Sequence, residues 1–207
     1  MSVGSVVAVI ATAVPLTIGA TRKLHERWRA RWQLRHHREL DASSREGDLV
    51  HVTGYVRGLE ETLVAPLSGR PCVAYRSRVW LTLQQAKDDR GGSGETMQIR
   101  PFVIDRAGAD SVVVVGEHVV FGLPPVRLVP RNADREDSFL ARHAIKGTAR
   151  FSEIALLVGM HVQIGGTLML VPREVPAAGE LGFRDPPPPV PQLVASRRAP
   201  LLIVARD

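Results

Sequence analysis

Cys72 is the only cysteine in the chain, and a lone thiol is the simplest group from which nucleophilic chemistry could be built. Reactivity requires the thiolate, which a neighbouring His, a basic side chain or a helix N-terminus must favour. Cys72 instead lies in Pro71-Cys72-Val73-Ala74-Tyr75, an apolar strand start with no His beside it. That context predicts a buried small hydrophobe with a quiet thiol. One cysteine also leaves no material for an intramolecular disulfide or a thiolate metal cluster. The seven histidines are scattered, without the HExxH spacing that places two imidazoles on one metal. His25, His36 and His37 fall in a basic segment, while His51, His118, His143 and His161 lie in or beside expected strands. Glu60 and Glu61 are adjacent, so an extended backbone points them to opposite sides and prevents a paired acid and base. Ser68, in Pro66-Leu67-Ser68-Gly69, lacks the GxSxG elbow of a hydrolase nucleophile. Gly91-Gly92-Ser93-Gly94 lacks the following Lys-Ser/Thr pair and helix of a phosphate loop. Asp105 and Asp110 flank an expected turn, where Asp ordinarily bonds its own backbone. No catalytic group, cofactor or metal is expected.

The strongest signal is a step in charge. Met1 to Thr21 carry no ionisable side chain, and Arg22, Lys23, Arg27, Arg29, Arg31, Arg35 and Arg38 follow at once. As a helix the run Val3 to Ala20 rises about 27 Å, close to the roughly 30 Å of a bilayer's hydrocarbon core. No basic residue precedes the run, unlike a signal peptide, and the cluster behind it is of the kind retained in the cytoplasm. A transmembrane anchor over 3–20 is therefore expected, with Pro15 tolerated inside it, ahead of a signal segment or reversed topology and of a buried soluble helix. The seven Lys and Arg from Arg22 to Arg38 outnumber the whole net excess of +6, so no nucleic-acid partner is expected. Leu24, Trp28 and Trp32 recur on one face of the neck. Two readings follow, an interfacial helix on anionic lipid or a charged stalk.

From Gly47 onward, short Val, Leu, Ile and Tyr runs alternate with Gly and Pro, which predicts a mainly β domain. Strands are expected at Leu49–Val56, Cys72–Leu83, Met97–Asp105, Ser111–Val115, His118–Phe121, Val126–Val129, Ala144–Phe151, His161–Ile164, Thr167–Val171 and Leu201–Ala205. Gly165-Gly166 reads as a reversal, Ala86 to Glu95 as a hairpin tip and Ser152 to Val158 as one helical turn before Gly159. Pro186 to Pro191 reads as a stiff polyproline linker that no sheet interior admits.

Three blocks resemble a known family. Glu61 to Arg76, with Pro66, Leu67, Ser68, Gly69, Pro71, Cys72 and Tyr75, resembles the start of the GIDE, or beside-a-membrane, domain of mitochondrial ubiquitin ligases and their prokaryotic relatives. Pro101, Phe102 and Asp105 in Arg100 to Asp105, and the stretch Glu153 to Gly166 with Gly159, are similar to its later blocks. The resemblance implies a β-rich, OB-like barrel or sandwich beside a membrane that binds another protein. In the eukaryotic ligases a RING finger performs the transfer, and its eight Cys or His ligands cannot be drawn from one cysteine. Ligase activity is therefore not carried over. The expected plan is an anchor at 3–20, a neck at 21–46, a GIDE-like domain at 47–174, a Pro-rich linker at 175–200 and a closing strand at 201–207. The expected function is a membrane-anchored, non-catalytic interaction module. The alternative is a component of a ubiquitin-ligase-like or quality-control system acting with a separate catalytic chain.

Overall fold

The computed structural model describes residues 26–59, 61–81, 93–128, 131–172 and 188–206. The expected anchor at 3–20, together with Arg22 and Lys23, lies outside the described residues, as does most of the expected hairpin tip. Among the described residues no helix is long and apolar enough to cross a membrane.

A helix α1 over residues 26–34 leads into the strands β1 (Arg38–Glu39), β2 (Leu49–Gly58), β3 (Leu63–Val64), β4 (Pro71–Leu81), β5 (Ser93–Ile99), β6 (Phe102–Asp105), β7 (Val112–Val115) and β8 (Val119–Phe121). Helix α2 (Ala133–Arg142) follows, then β9 (Ala149–Leu157), β10 (His161–Val171), β11 (Val190–Val194) and β12 (Leu201–Ala205). Strict alternation in β2 turns Val50, Val52 and Val56 to one side, and β10 does the same with Val162, Ile164 and Leu168. These two long strands pair antiparallel over Leu49 to Tyr55. With β6, β7 and β11 they close a five-stranded barrel in the order β2-β6-β7-β11-β10 and back to β2. Closure buries the shared apolar face, including Phe102, Ile104, Val112, Val114 and Leu193, and leaves those strands no open ladder inside the ring.

Three strands of the second sheet, β3, β4 and β5, are an excursion between the first two barrel strands, and β9 joins the sheet from between β7 and β10. Its centre, β4, pairs with β5 and β9, and β3 pairs with Pro71 and Cys72 at its start. A register shift between Cys72 and Ala74 lets Val73 and Ala74 both join the barrel's apolar cluster. The same sheet thereby caps the barrel and carries a second face of its own.

Several sequence expectations give way here. Met97–Asp105 is two strands, because Arg100 turns its N–H to the Val73 carbonyl (2.9 Å) and Pro101 follows, so β5 serves one sheet and β6 the other. The expected helical turn at Ser152–Val158 is strand, part of β9, and the strand expected at Ala144–Phe151 starts only at Ala149. Because β9 buries residues on both sides, its apolar run imitates a helix. Helix α2 was not expected, although Asn132 caps it by accepting from the Arg135 N–H (3.1 Å) and Asp134 and Glu136 occupy its first turn. Residues 126–128 form no strand, and the Val126 N–H donates to the Glu153 carbonyl at 2.7 Å. Val190 and Pro191, expected in a linker, begin β11. Pro191 lies opposite Leu170 where β7 does not reach, an edge position at which a missing N–H is tolerated.

Gly165 and Gly166 form no reversal but lie inside β10. A Cβ on Gly165 would stand 2.4 Å from Leu34 Cδ1, so the glycine is a seat for α1. Ala30 and Leu34 fill that seat against Leu202 and Val204 of β12. A β-branched side chain at Gly165 would push α1 off the barrel. Gly165→Val should therefore destabilise by about 1–3 kcal/mol, the range for overpacking. Gly165→Ala should cost less, since the nearest atom ends a flexible side chain. Thermal melts of both variants against the parent check the order.

Candidate functional site

Two surfaces gather the residues singled out in the sequence, one on each face of the second sheet. The first is α1. Its inner side buries Ala30 and Leu34, while Trp28 is 63% exposed and Trp32 50% exposed. The two indoles stack with centroids 6.4 Å apart and planes at 19°, and His36 adds a ring 4.5 Å from Trp32. Arg29, Arg31, Arg35 and Arg38 are exposed around them, and Arg27 is half-buried. Arg38 donates to Ser43 Oγ at 3.1 Å. The helix is not a free stalk, because Glu26, the first of its described residues, is tied to the second sheet as well. Arg76 of β4 donates to its carboxylate at 2.6 Å, and Arg78 approaches to 3.6 Å. Burial alone would raise the Glu26 carboxyl, but the hydrogen bond and charge of Arg76, joined by Arg78, outweigh it and hold it low. Arg76 also lies 5.7 Å above the Phe121 ring.

The second surface is the opposite face of β4. Strand alternation puts Arg76 and Arg78 toward α1 and puts Tyr75, Ser77 and Val79 on the other side. Directly across from Ser77 stands Glu153 of β9, fully buried. Its Oε2 accepts from the Leu67 N–H and from Ser77 Oγ, each at 2.8 Å, and its Oε1 accepts from the Ser68 N–H at 3.0 Å. The Pro66-Leu67-Ser68-Gly69 turn is thus wrapped around a carboxylate. Ala65 and Arg70 close it (3.0 Å), and Gly69 supplies the φ of +71° that a tight reversal needs. A side chain there would also meet the Arg135 guanidinium, whose carbon lies 2.7 Å from the position of a Gly69 Cβ.

The remaining motif residues divide by role. Cys72 is fully buried beside Ala65, Tyr75 and Ala155. Burial, reinforced by the nearby Glu153 charge, pushes its thiol up to about 11. Phe102 is a barrel core residue, Pro101 is exposed between β5 and β6, and Gly159 turns β9 into β10 with φ +82°. Asp105 does not bond its own turn. Arg57 reaches it from β2 at 2.7 and 3.1 Å, and Ser111 donates at 2.8 Å, which together hold the carboxyl below its usual range.

Beside the wrapped turn, α2 leaves a cleft of about 480 Å³. Val64, Pro66 and Tyr75 form one wall, and Arg135, Ser138 and Arg142 form the other. Burial raises the Tyr75 phenol, and the positive charge of Arg142 opposes that rise. Glu153, Ser77 and the α2 arginines carry no role in the sequence reading. The cap at Asn132 was a legible sign of α2, whereas nothing local marks Glu153 as buried. Among the described residues no group of three or more His, Cys, Asp or Glu is placed to hold a metal ion. Comparison with family models, curated proteins and solved structures finds no match to this chain.

Removing the Glu153 carboxylate leaves three buried or half-buried donors without an acceptor. Glu153→Ala should cost about 3–5 kcal/mol, since each stranded group costs about 1–3 kcal/mol and they relax together. Glu153→Gln should cost less, because its single oxygen can still serve Leu67 and Ser77 and only the Ser68 N–H faces the new amide. Denaturant midpoints of the two variants test this order. Cys72 should label with maleimide only as fast as the domain unfolds. With a thiol near 11, only about one molecule in a thousand is thiolate at pH 8, and that one is buried. Fast stoichiometric labelling of the folded chain would contradict the burial.

Proposed function

We propose that this chain is a single-pass membrane protein whose β domain, of the GIDE type, is a non-catalytic interaction module held against the cytoplasmic face of a bilayer. The observation that carries the reading is the exposed, stacked Trp28–Trp32 pair on a basic helix whose other side is clamped to the fold. Indole rings favour the headgroup layer, and flanking Arg side chains reach phosphates while their stems lie along apolar surface. The uncharged run at 3–20 ends just before this helix, so an anchor would deliver the aromatic face to the lipid boundary. Retention of the basic cluster argues for the cytoplasmic side.

The family reading draws support from Glu153, which joins the first and last resembling blocks in one hydrogen-bonded unit. The OB-like reading draws support from the barrel order. Numbered by chain position, its strands run 1-2-3-5-4-1, and only the β7–β11 pair is parallel. A catalytic role has no such support, since the buried carboxylate is committed to holding the turn and the Cys72 thiol is buried and held in its neutral form.

A fragment beginning at Thr21 should bind anionic vesicles and bind them more weakly as salt rises, at about 1 kcal/mol per Lys or Arg near the surface. Tryptophan emission should shift to the blue on binding, with Trp80 of β4 as an internal reference. Trp28→Ala combined with Trp32→Ala should abolish the part of the attachment that survives high salt. If the double variant binds as the parent does, the aromatic face is not inserted and the reading fails. For the full chain, alkaline carbonate should leave the protein in the membrane fraction.

A further inference from the structure

The cleft between α2 and the wrapped turn has the size of a binding site and a largely polar lining. Its volume of about 480 Å³ falls within the range of ligand pockets, roughly 300–1,000 Å³. One wall is apolar, with Val64 57% exposed beside Pro66. The other presents two guanidiniums from one helix stripe, Arg135 and Arg142, with the Ser138 hydroxyl between them. Neither guanidinium forms an ion pair among the described residues. Glu136 is held by Arg131 at 2.6–2.7 Å, Asp137 is exposed and not among the lining residues, and Asp134 lines the cleft as the one opposing charge.

We infer that this cleft binds an acidic peptide segment of a partner protein, laid along α2 with its carboxylates on Arg135 and Arg142 and an apolar side chain against Val64 and Pro66. Spacing supports an extended occupant. Residues seven apart on a helix lie about 10.5 Å apart along its axis, and a strand covers that distance in about three residues. Flexible side chains then accept acids two to four positions apart. Guanidiniums suit carboxylates because their fork donates two parallel hydrogen bonds.

A lipid headgroup carries the same charge, but position disfavours it. Tyr75 and the cleft lie on the face of β4 opposite Arg76 and Arg78, which hold α1 through Glu26. With the Trp28–Trp32 face on the bilayer, the cleft looks away from it, toward soluble partners. This inference rests on reading the domain as an interaction module, and the two are separable by experiment.

The test uses the full chain in zwitterionic nanodiscs and labelled peptides bearing two Glu separated by one to three apolar residues, each with a matched Gln version. Anisotropy should show at least one Glu spacing binding about tenfold or more tighter than its Gln match, with the advantage shrinking as salt rises. Arg135→Gln with Arg142→Gln should erase that advantage. Ser138→Glu, an exposed substitution that adds a like charge to the cleft, should erase it as well, with the melting temperature of each variant near that of the parent. Trp28→Ala with Trp32→Ala should leave peptide affinity unchanged while weakening vesicle attachment, so either reading can fail alone. The inference is overturned if no Glu peptide outbinds its Gln match, or if the preference survives the double Arg variant. It is equally overturned if that variant loses affinity for anionic vesicles instead, which would make the cleft a lipid site.

Discussion

A carboxylate withdrawn from water must find donors inside the protein, and the second sheet is organised around the need of Glu153 for them. Moving such a group inward costs several kcal/mol unless its lone pairs are answered. Two backbone N–H groups of a turn and one hydroxyl answer them. The arrangement works in both directions, since those turn amides would otherwise be unpaired in a region sealed by Leu67 and Cys72. The turn therefore cannot drift without exposing a charge. Its fixed position places Pro66 and Val64 opposite α2, and so determines the shape of the cleft.

The same sheet carries a second clamp on its far side. Glu26 reaches Arg76 and Arg78, while Ala30 and Leu34 lie on the barrel through Leu202, Val204 and the bare backbone of Gly165. A helix held at two points on two sheets has little freedom to swing. The exposed tryptophans of α1 are consequently fixed in orientation relative to the second sheet.

Much of the barrel is legible in the sequence because its strands obey a period of two. Val50, Val52 and Val56 in β2 and Val112 and Val114 in β7 announce their own faces. Legibility fails where a strand is buried on both sides, as in β9, and where proline or glycine serves tertiary packing rather than a turn, as at Pro191 and Gly165. It fails for different reasons at the site. Ser77 and Glu153 lie far apart in sequence, and only the pairing of β4 with β9 reveals that they meet. The turn Pro66 to Gly69 stands out as a motif, but the carboxylate that explains it sits in a stretch that reads as apolar. Arg135 and Arg142 went unread because α2 did, although its capping chemistry is present in the sequence.

The order in which the barrel strands occur along the chain constrains how the protein is made. The seam between β7 and β11 needs Gln192 to Val194, and β2, already beside β6, finds its second antiparallel partner, β10, only when residues up to Thr167 are available. A chain emerging from the ribosome must therefore carry β2, β6 and β7 as an open, apolar ribbon from Val115 until β10 and β11 have appeared. Contacts between residues this distant form slowly, and unpaired edges invite association with other chains in the interval. The second sheet does not shorten the wait, because β4 also lacks its β9 neighbour until Leu157 has appeared. Ring closure makes the finished domain free of open barrel edges, and it also leaves the nascent chain with unpaired barrel edges until Val194 has appeared.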